Sequence, residues 1–300
     1  MRGLKPPALS SLLCALVLVG PGVAVAAAYD SLFSRMKADR SLAEIFPDGV
    51  ASADIQEGML IGTGTEQLRH LPDGRLAITR KRHYTAIRRL DTQQVAKLPE
   101  PWEATSSLVL EPNLRLVQAD TRFAFNQAHA DALFADYKFS KEHTWLFETD
   151  HSVLKAVEQG KKLQMQRYLQ GKPVKQKTID YPSDAAPVDV VGLYLSAAIA
   201  RGIDTFDFQL LVPGDGTHGI RAQVHRTSDV SRFAQGYRLP KARLRTEEPL
   251  AVLDMRLASP IKYLFYPHHF FMAFSAAHPD QLMMMWGGDS DTNLQAFRRP

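Results

Sequence analysis

The segment Tyr266-Pro267-His268-His269-Phe270 carries the densest group of side chains suited to acid–base or metal chemistry. Neighbouring residues of an extended strand point to opposite faces, so His268 and His269 do not chelate one ion together. His278 is a candidate third ligand, but no spacing fixes it beside either ring. The pair is read as ordinary histidines near a strand end, and no metal ligand is assigned. The run Asp289-Ser290-Asp291-Thr292-Asn293 begins like a calcium loop. Such a loop needs Gly at its sixth position and Glu at its twelfth, where Leu294 and Pro300 stand, so it is read as a polar tail.

Glu148 and Asp150, with Glu142 nearby, would share a strand face as the carboxylates of a glycosidase do. Solvation of a surface strand explains them more economically. The chain has no Gly-x-Ser-x-Gly elbow, His-Glu-x-x-His pair, phosphate-binding loop or dinucleotide fingerprint. No catalytic residue and no cofactor is assigned, and the expectation is a non-enzymatic protein.

Binding chemistry is better represented. Arg75, Arg80, Lys81, Arg82, Arg88 and Arg89 fall in one stretch without an acid. Alternation divides them between two faces, as on a solvated strand that protects a sheet edge. The sharper reading is an anionic partner such as lipid head groups. Phe270, Phe271, Met272 and Phe274, then Met283-Met284-Met285-Trp286, make a soft aromatic section. Methionine-rich surfaces adapt to apolar ligands, but the plainer reading is a core strand pair joined through His278-Pro279-Asp280.

These residues must be positioned by strands. Leu71-Pro72-Asp73-Gly74 and Glu111-Pro112-Asn113 are turns, each followed by a long extended run. The glycines of Gly62-Thr63-Gly64-Thr65 mark bulges or a tight bend. On the strand after Gly74, Leu76, Ile78, Tyr84 and Ala86 share a face that Arg80 and Arg82 interrupt. A bulge near Arg80 would restore the alternation, and the sequence leaves that open. Gln170-Gly171-Lys172-Pro173 is a hairpin turn, and Phe206, Phe208, Leu210 and Val212 alternate strictly.

One strong helix interrupts the strands, at 187–200. Asp184 offers a cap, Pro187 suits a first turn and Gly202 stops it. Its apolar residues, Tyr194 among them, cover nearly the whole circumference, so it is expected to be buried. Strands, one helix, then strands predict a mainly β fold: a strongly curved antiparallel sheet or partial barrel with one buried helix packed against it.

The N-terminus predicts export. Arg2 and Lys5 precede an apolar run broken by Gly20-Pro21-Gly22, with small residues at 24–28, so 1–28 is read as a signal peptide rather than a span. Residues 29–300 are expected to form one β-rich domain, with a short helix at 29–46. The only cysteine, Cys14, lies within the leader, so the mature chain has no disulfide and no thiolate ligand. Removing the leader lowers the net charge from +4 to +2, which argues for no nucleic-acid partner.

Ser106-Ser107-Leu108-Val109-Leu110 through Leu114-Arg115-Leu116, the helix at 190–200, then 206–224, 236–244 and 260–288 follow one another in an order that resembles the exported proteins of unknown function grouped as DUF3108. The resemblance implies export and a β-rich body, and that family supplies no catalytic residues. Long curved sheets with an internal helix are also similar in architecture to the periplasmic lipoprotein carriers. The expected function is a periplasmic protein that shelters a lipid or other amphiphile in a cleft of the sheet. Arg80, Arg82 and Tyr84 would sit at its mouth, and Tyr194 and Phe270 are the other expected ligand-binding residues. The alternative is an interaction module of envelope or polysaccharide assembly without a small ligand.

Overall fold

Two turns of the same build start the main sheet. In 71–75 the Gly74 N–H donates to the Leu71 oxygen, and the Leu71 N–H donates to the Arg75 oxygen. In 111–115 the same two bonds recur with Leu114 in the place of Gly74. Both residues take positive φ, 82° for Gly74 and 63° for Leu114. A branched side chain there costs about 1 to 2 kcal/mol. Leu114 is fully buried, and that burial offsets the cost.

The computed structural model describes residues 45–57, 60–88, 94–126, 128, 130, 149–212, 216–235, 245–259, 269–279, 281–287 and 295–298. The expected leader at 1–28, nearly all of the helix at 29–46, His268 and the tail at 289–293 lie outside these residues. Glu142, Glu148 and all of 236–244 and 260–268 lie outside them too.

Nine strands form one antiparallel sheet. They are β1 (Gly49–Glu57), β2 (Leu60–His70), β3 (Leu76–Arg88), β4 (Val95–Leu110), β5 (Leu116–Ala124), β6 (His151–Val157), β7 (Lys162–Leu169), β8 (Lys172–Asp180) and the late β15 (Gln295–Arg298). Their order is β15-β1-β2-β3-β4-β5-β6-β7-β8. The other six are β9 (Ala185–Pro187), β10 (Thr205–Val212), β11 (Gly216–Asp229), β12 (Arg245–Leu257), β13 (Phe270–Ser275) and β14 (Leu282–Gly287), in the order β14-β13-β12-β11-β10-β9. Edges β14 and β15 lie against each other, and the nine-stranded sheet curls as a half-barrel.

The single long helix of the described residues, α1 (Val191–Ala200), lies inside. Eight of its ten residues are buried, and Tyr194, Leu195, Ala197 and Ala198 have no exposed surface. They share one apolar cluster with Ile78, Leu108, Leu110 and Met165 of the larger sheet and Phe206, Leu253 and Met285 of the smaller. The mainly β fold with one buried helix is thus the observed one.

Its N-terminal boundary differs from the expected 187–200. Ala185–Pro187 pairs in parallel with Gln209, Leu210 and Leu211 and is committed to the sheet. The helix begins after Val190, without a side-chain cap. Its end is as expected: Gly202 at φ 69° donates to the Ile199 oxygen and Ile203 donates to the Ala198 oxygen. These paired bonds close a helix on a left-handed glycine.

Arg115 ties the segment before β9 to the large sheet. It donates to the main-chain oxygens of Pro182 at 3.0 Å and Tyr181 at 3.0 Å, and also to that of Gly160. Its guanidinium lies 3.9 Å from the centre of the Tyr181 ring. The aromatic section resolves into the expected core strand pair. β13 and β14 send Met272, Phe274 and Met285 into the helix-bearing core, and Phe271, Met284 and Trp286 into a small core on the opposite face.

Candidate functional site: an arginine belt on the concave face

β3 runs in register with β2 and β4 from Leu76 to Tyr84, and the irregularity opposite β4 falls between Tyr84 and Ala86. No bulge lies near Arg80. Arg80 and Arg82 therefore face the same way as Leu76, Ile78 and Tyr84, into the curve of the sheet. The expectation of an edge strand is corrected: β3 lies between β2 and β4, and Lys81 and His83 alone of 80–83 stand exposed on the outer face. The outermost position belongs to β8, exposed along nearly all its length and carrying Lys172, Pro173, Lys175 and Lys177, the usual protection of an edge.

Cross-strand register carries the polar interruption across the sheet. Glu66 lies opposite Arg80, Arg80 opposite Ser106, and Ser106 opposite Thr121. Thr121 lies opposite Ser152, Ser152 opposite Arg167, and Arg167 opposite Lys175. At about 4.8 Å between strands, the row from Arg80 to Lys175 spans roughly 24 Å and ends at the outermost strand. The next inward row holds Gly64, Arg82, Ala104 and Phe123. Most of these residues are half-buried.

Apolar clusters flank the belt on both sides. On one side Leu68, Ile78, Leu108, Ala119, Leu154 and Met165 belong to the core filled by α1. On the other side Leu60, Tyr84, Ile87, Leu98 and Trp102 form a second cluster, against which half-buried Phe123 and Phe125 pack. The Phe123 ring stands edge-on to Tyr84 at 6.1 Å and to Trp102 at 6.2 Å, and lies 5.0 Å from Phe125.

The belt's electrostatics follow from its partners. Arg80 Nε donates to Glu66 Oε2 at 2.6 Å, with both side chains largely covered. Its Nη1 donates to the Asp189 main-chain oxygen at 2.8 Å. Thr121 donates its hydroxyl to Ser106 at 3.0 Å. Burial pushes the Asp189 carboxyl above its ordinary pKa, and Arg80, Arg82 and Arg167 oppose that rise. One half-buried carboxyl thus feels three inward arginines.

The structure therefore brings three of the five expected ligand residues, Arg80, Arg82 and Tyr84, onto one face. It separates the other two. Tyr194 is sealed in the helix core with its hydroxyl beside that of Tyr181; burial pushes both phenols up, and for Tyr194 the neighbouring Tyr181 adds to the rise. Phe270 begins β13 and packs on the core from the smaller sheet. Among the described residues, the side chains beneath α1 pack with the helix into one apolar cluster. Arg167, Ser106, Thr121, Ser152 and Asp189 were not legible as site residues. The four on strands share one signal, a polar residue at an inward position, and Asp189 lies in the turn before α1.

Of the carboxylates considered for acid–base work, Asp150 accepts from the Gln170 N–H at 2.7 Å and ties down the β7–β8 turn. His269 Nδ1 lies 2.5 Å from Asp254 Oδ1. No group of three or more histidine, cysteine or acidic side chains suited to a metal occurs among the described residues. No helix among them is long and apolar enough to cross a membrane.

Fold and belt define a β-barrel-like protein with an enclosed helix and a polar strip inside the curve. No family model matches the chain, and no curated protein matches it. Among solved structures, it is similar to the β-barrel-like protein of domain of unknown function DUF1849 from Brucella abortus. The two share 8% identity over 83% of this chain and 94% of the other, with a TM-score of 0.42.

Proposed function

We propose that this is a non-enzymatic binding protein of the cell envelope that holds an anionic amphiphile along the concave face of the larger sheet. The observation that carries the reading is the placement of Arg80, Arg82 and Arg167 on one inward surface between two apolar clusters. Such a surface offers charge and hydroxyl donors to a head group, and offers Phe123 and Phe125 to a chain. Ligand sites of this kind are apolar with a few convergent polar groups. Arg80 is held by Glu66 and by the main chain at Asp189, and Arg82 and Arg167 face the same inward surface beside it. The exported, periplasmic location rests on the basic, apolar and small-residue pattern of 1–28, and kinship with DUF3108 on the order of elements.

Native mass spectrometry of the protein recovered from the envelope fraction tests the reading. It predicts a bound fatty acid, phospholipid or comparable anionic lipid, and reversible binding of a fluorescent fatty acid. Recovery of bare protein that binds no such probe overturns it.

A second reading, an assembly module with no small ligand, is favoured by the apolar packing beneath α1 and by the lysine-bearing outermost strand β8. A partner captured by the chain and lost on charge reversal at Lys175 and Lys177, with no lipid bound, would select it.

A further inference from the structure

The outer face of the smaller sheet carries a separate polar array. Phe206, Ile220, Ala222, Leu253 and Met255 point into the core. Alternation therefore places Thr205, Asp207, Arg221, Gln223, Asp254 and Arg256 on the other face. Register sets them in two rows: Thr205, Gln223 and Asp254 side by side, then Asp207, Arg221 and Arg256. A pocket of about 260 Å³ opens here, lined by Thr205, Arg221, Gln223, Asp254 and Arg256.

Arg221 and Asp254 are held before any ligand arrives. Arg221 donates through Nε and Nη2 to the two oxygens of Asp207, at 3.0 and 3.1 Å. Asp254 is held by the His269 ring, which stacks on Phe271. Planar groups fixed in this way lose little freedom on binding.

The lining selects by hydrogen-bond type. It combines donors on Arg221 and Arg256 with an acceptor on Asp254, and groups that do both on Thr205 and Gln223. A sulfate only accepts, a phosphate offers at most one or two O–H donors, and either would bring its negative charge against the Asp254 carboxylate. An apolar ligand would leave all five polar side chains without water. A ring bearing several hydroxyls satisfies donors and acceptors together. The volume is below the roughly 300 Å³ at which pockets for drug-sized ligands begin, which suits one ring. We infer that this pocket binds a single saccharide ring, as a free sugar or as one unit of an envelope glycan.

The test is saturation-transfer NMR with calorimetry on the whole chain, using glucose, glucuronate, a glucose oligosaccharide and inorganic phosphate as probes. Transfer to sugar ring protons is expected. Gln223→Ala and Thr205→Ala, both at exposed positions, should each weaken sugar binding by about tenfold, the worth of a lost hydrogen bond. Asp120→Asn on the other sheet should leave it unchanged. Tighter binding of the oligosaccharide would identify a glycan, and equal binding a free sugar. Absence of transfer to every sugar overturns the inference, as does phosphate binding more tightly than sugar, or sugar binding untouched by both variants. The amphiphile reading is separable, because substitution of Arg82 and Arg167 should not alter the sugar response.

Discussion

Arg80 donates to the main-chain oxygen of Asp189 at 2.8 Å, joining the floor of the larger sheet to the segment that leads into α1. The same guanidinium is paired with Glu66. Removing it takes away the cation 2.6 Å from a largely covered carboxylate. Arg80→Met should therefore destabilise the protein by about 2 to 4 kcal/mol, read from chemical denaturation. Adding Glu66→Gln should recover a good part of that loss, since the buried charge is then gone.

Asp189 makes stability depend on pH. Its folded pKa is raised by burial, so the folded state holds the proton more tightly than the unfolded chain. That contribution is complete below the unfolded pKa and is lost as pH rises through the folded one. Asp189→Asn cannot ionise there. The stability of Asp189→Asn relative to the natural protein should thus increase as pH rises from about 4 to 7, measured by denaturation midpoints. A difference constant with pH would contradict this.

The glycine of the β2–β3 irregularity is a matter of space. A Cβ on Gly62 would lie 1.9 Å from the His83 carbonyl oxygen and 2.7 Å from the Tyr84 Cα. Backbone on a neighbouring strand cannot step aside cheaply, so Gly62→Ala should cost about 2 kcal/mol or more in thermal unfolding. Gly74 has room for a Cβ but sits at φ 82°, and Gly74→Ala should cost about 1 kcal/mol.

Much of this was legible in the sequence because its signals are local. Pro72-Asp73-Gly74 and Gln170-Gly171 make the turns they promise, Gly62 marks a register shift, and Gly202 ends the helix. The helix start was misplaced because Pro187 suits a first turn and a strand equally, and its partner β10 lies more than twenty residues away. Strict alternation from Ala119 would put Val117 inward, but the irregularity opposite Val109 and Leu110 turns Leu116 inward instead. The belt was half visible. Arg80 and Arg82 broke an apolar face openly, whereas Ser106, Thr121, Ser152 and Arg167 are ordinary residues until pairing over five strands aligns them. Register between distant strands is not written in any one of them.

The most direct measurement compares a fluorescent fatty acid with its methyl ester, titrated against the natural chain and against Arg82→Ala/Arg167→Ala. The belt predicts that the acid binds the natural chain at least about tenfold more tightly than the ester, and that the double substitution abolishes this preference while thermal stability is retained. Equal binding of acid and ester, or a preference that survives loss of both arginines, would contradict the proposed site.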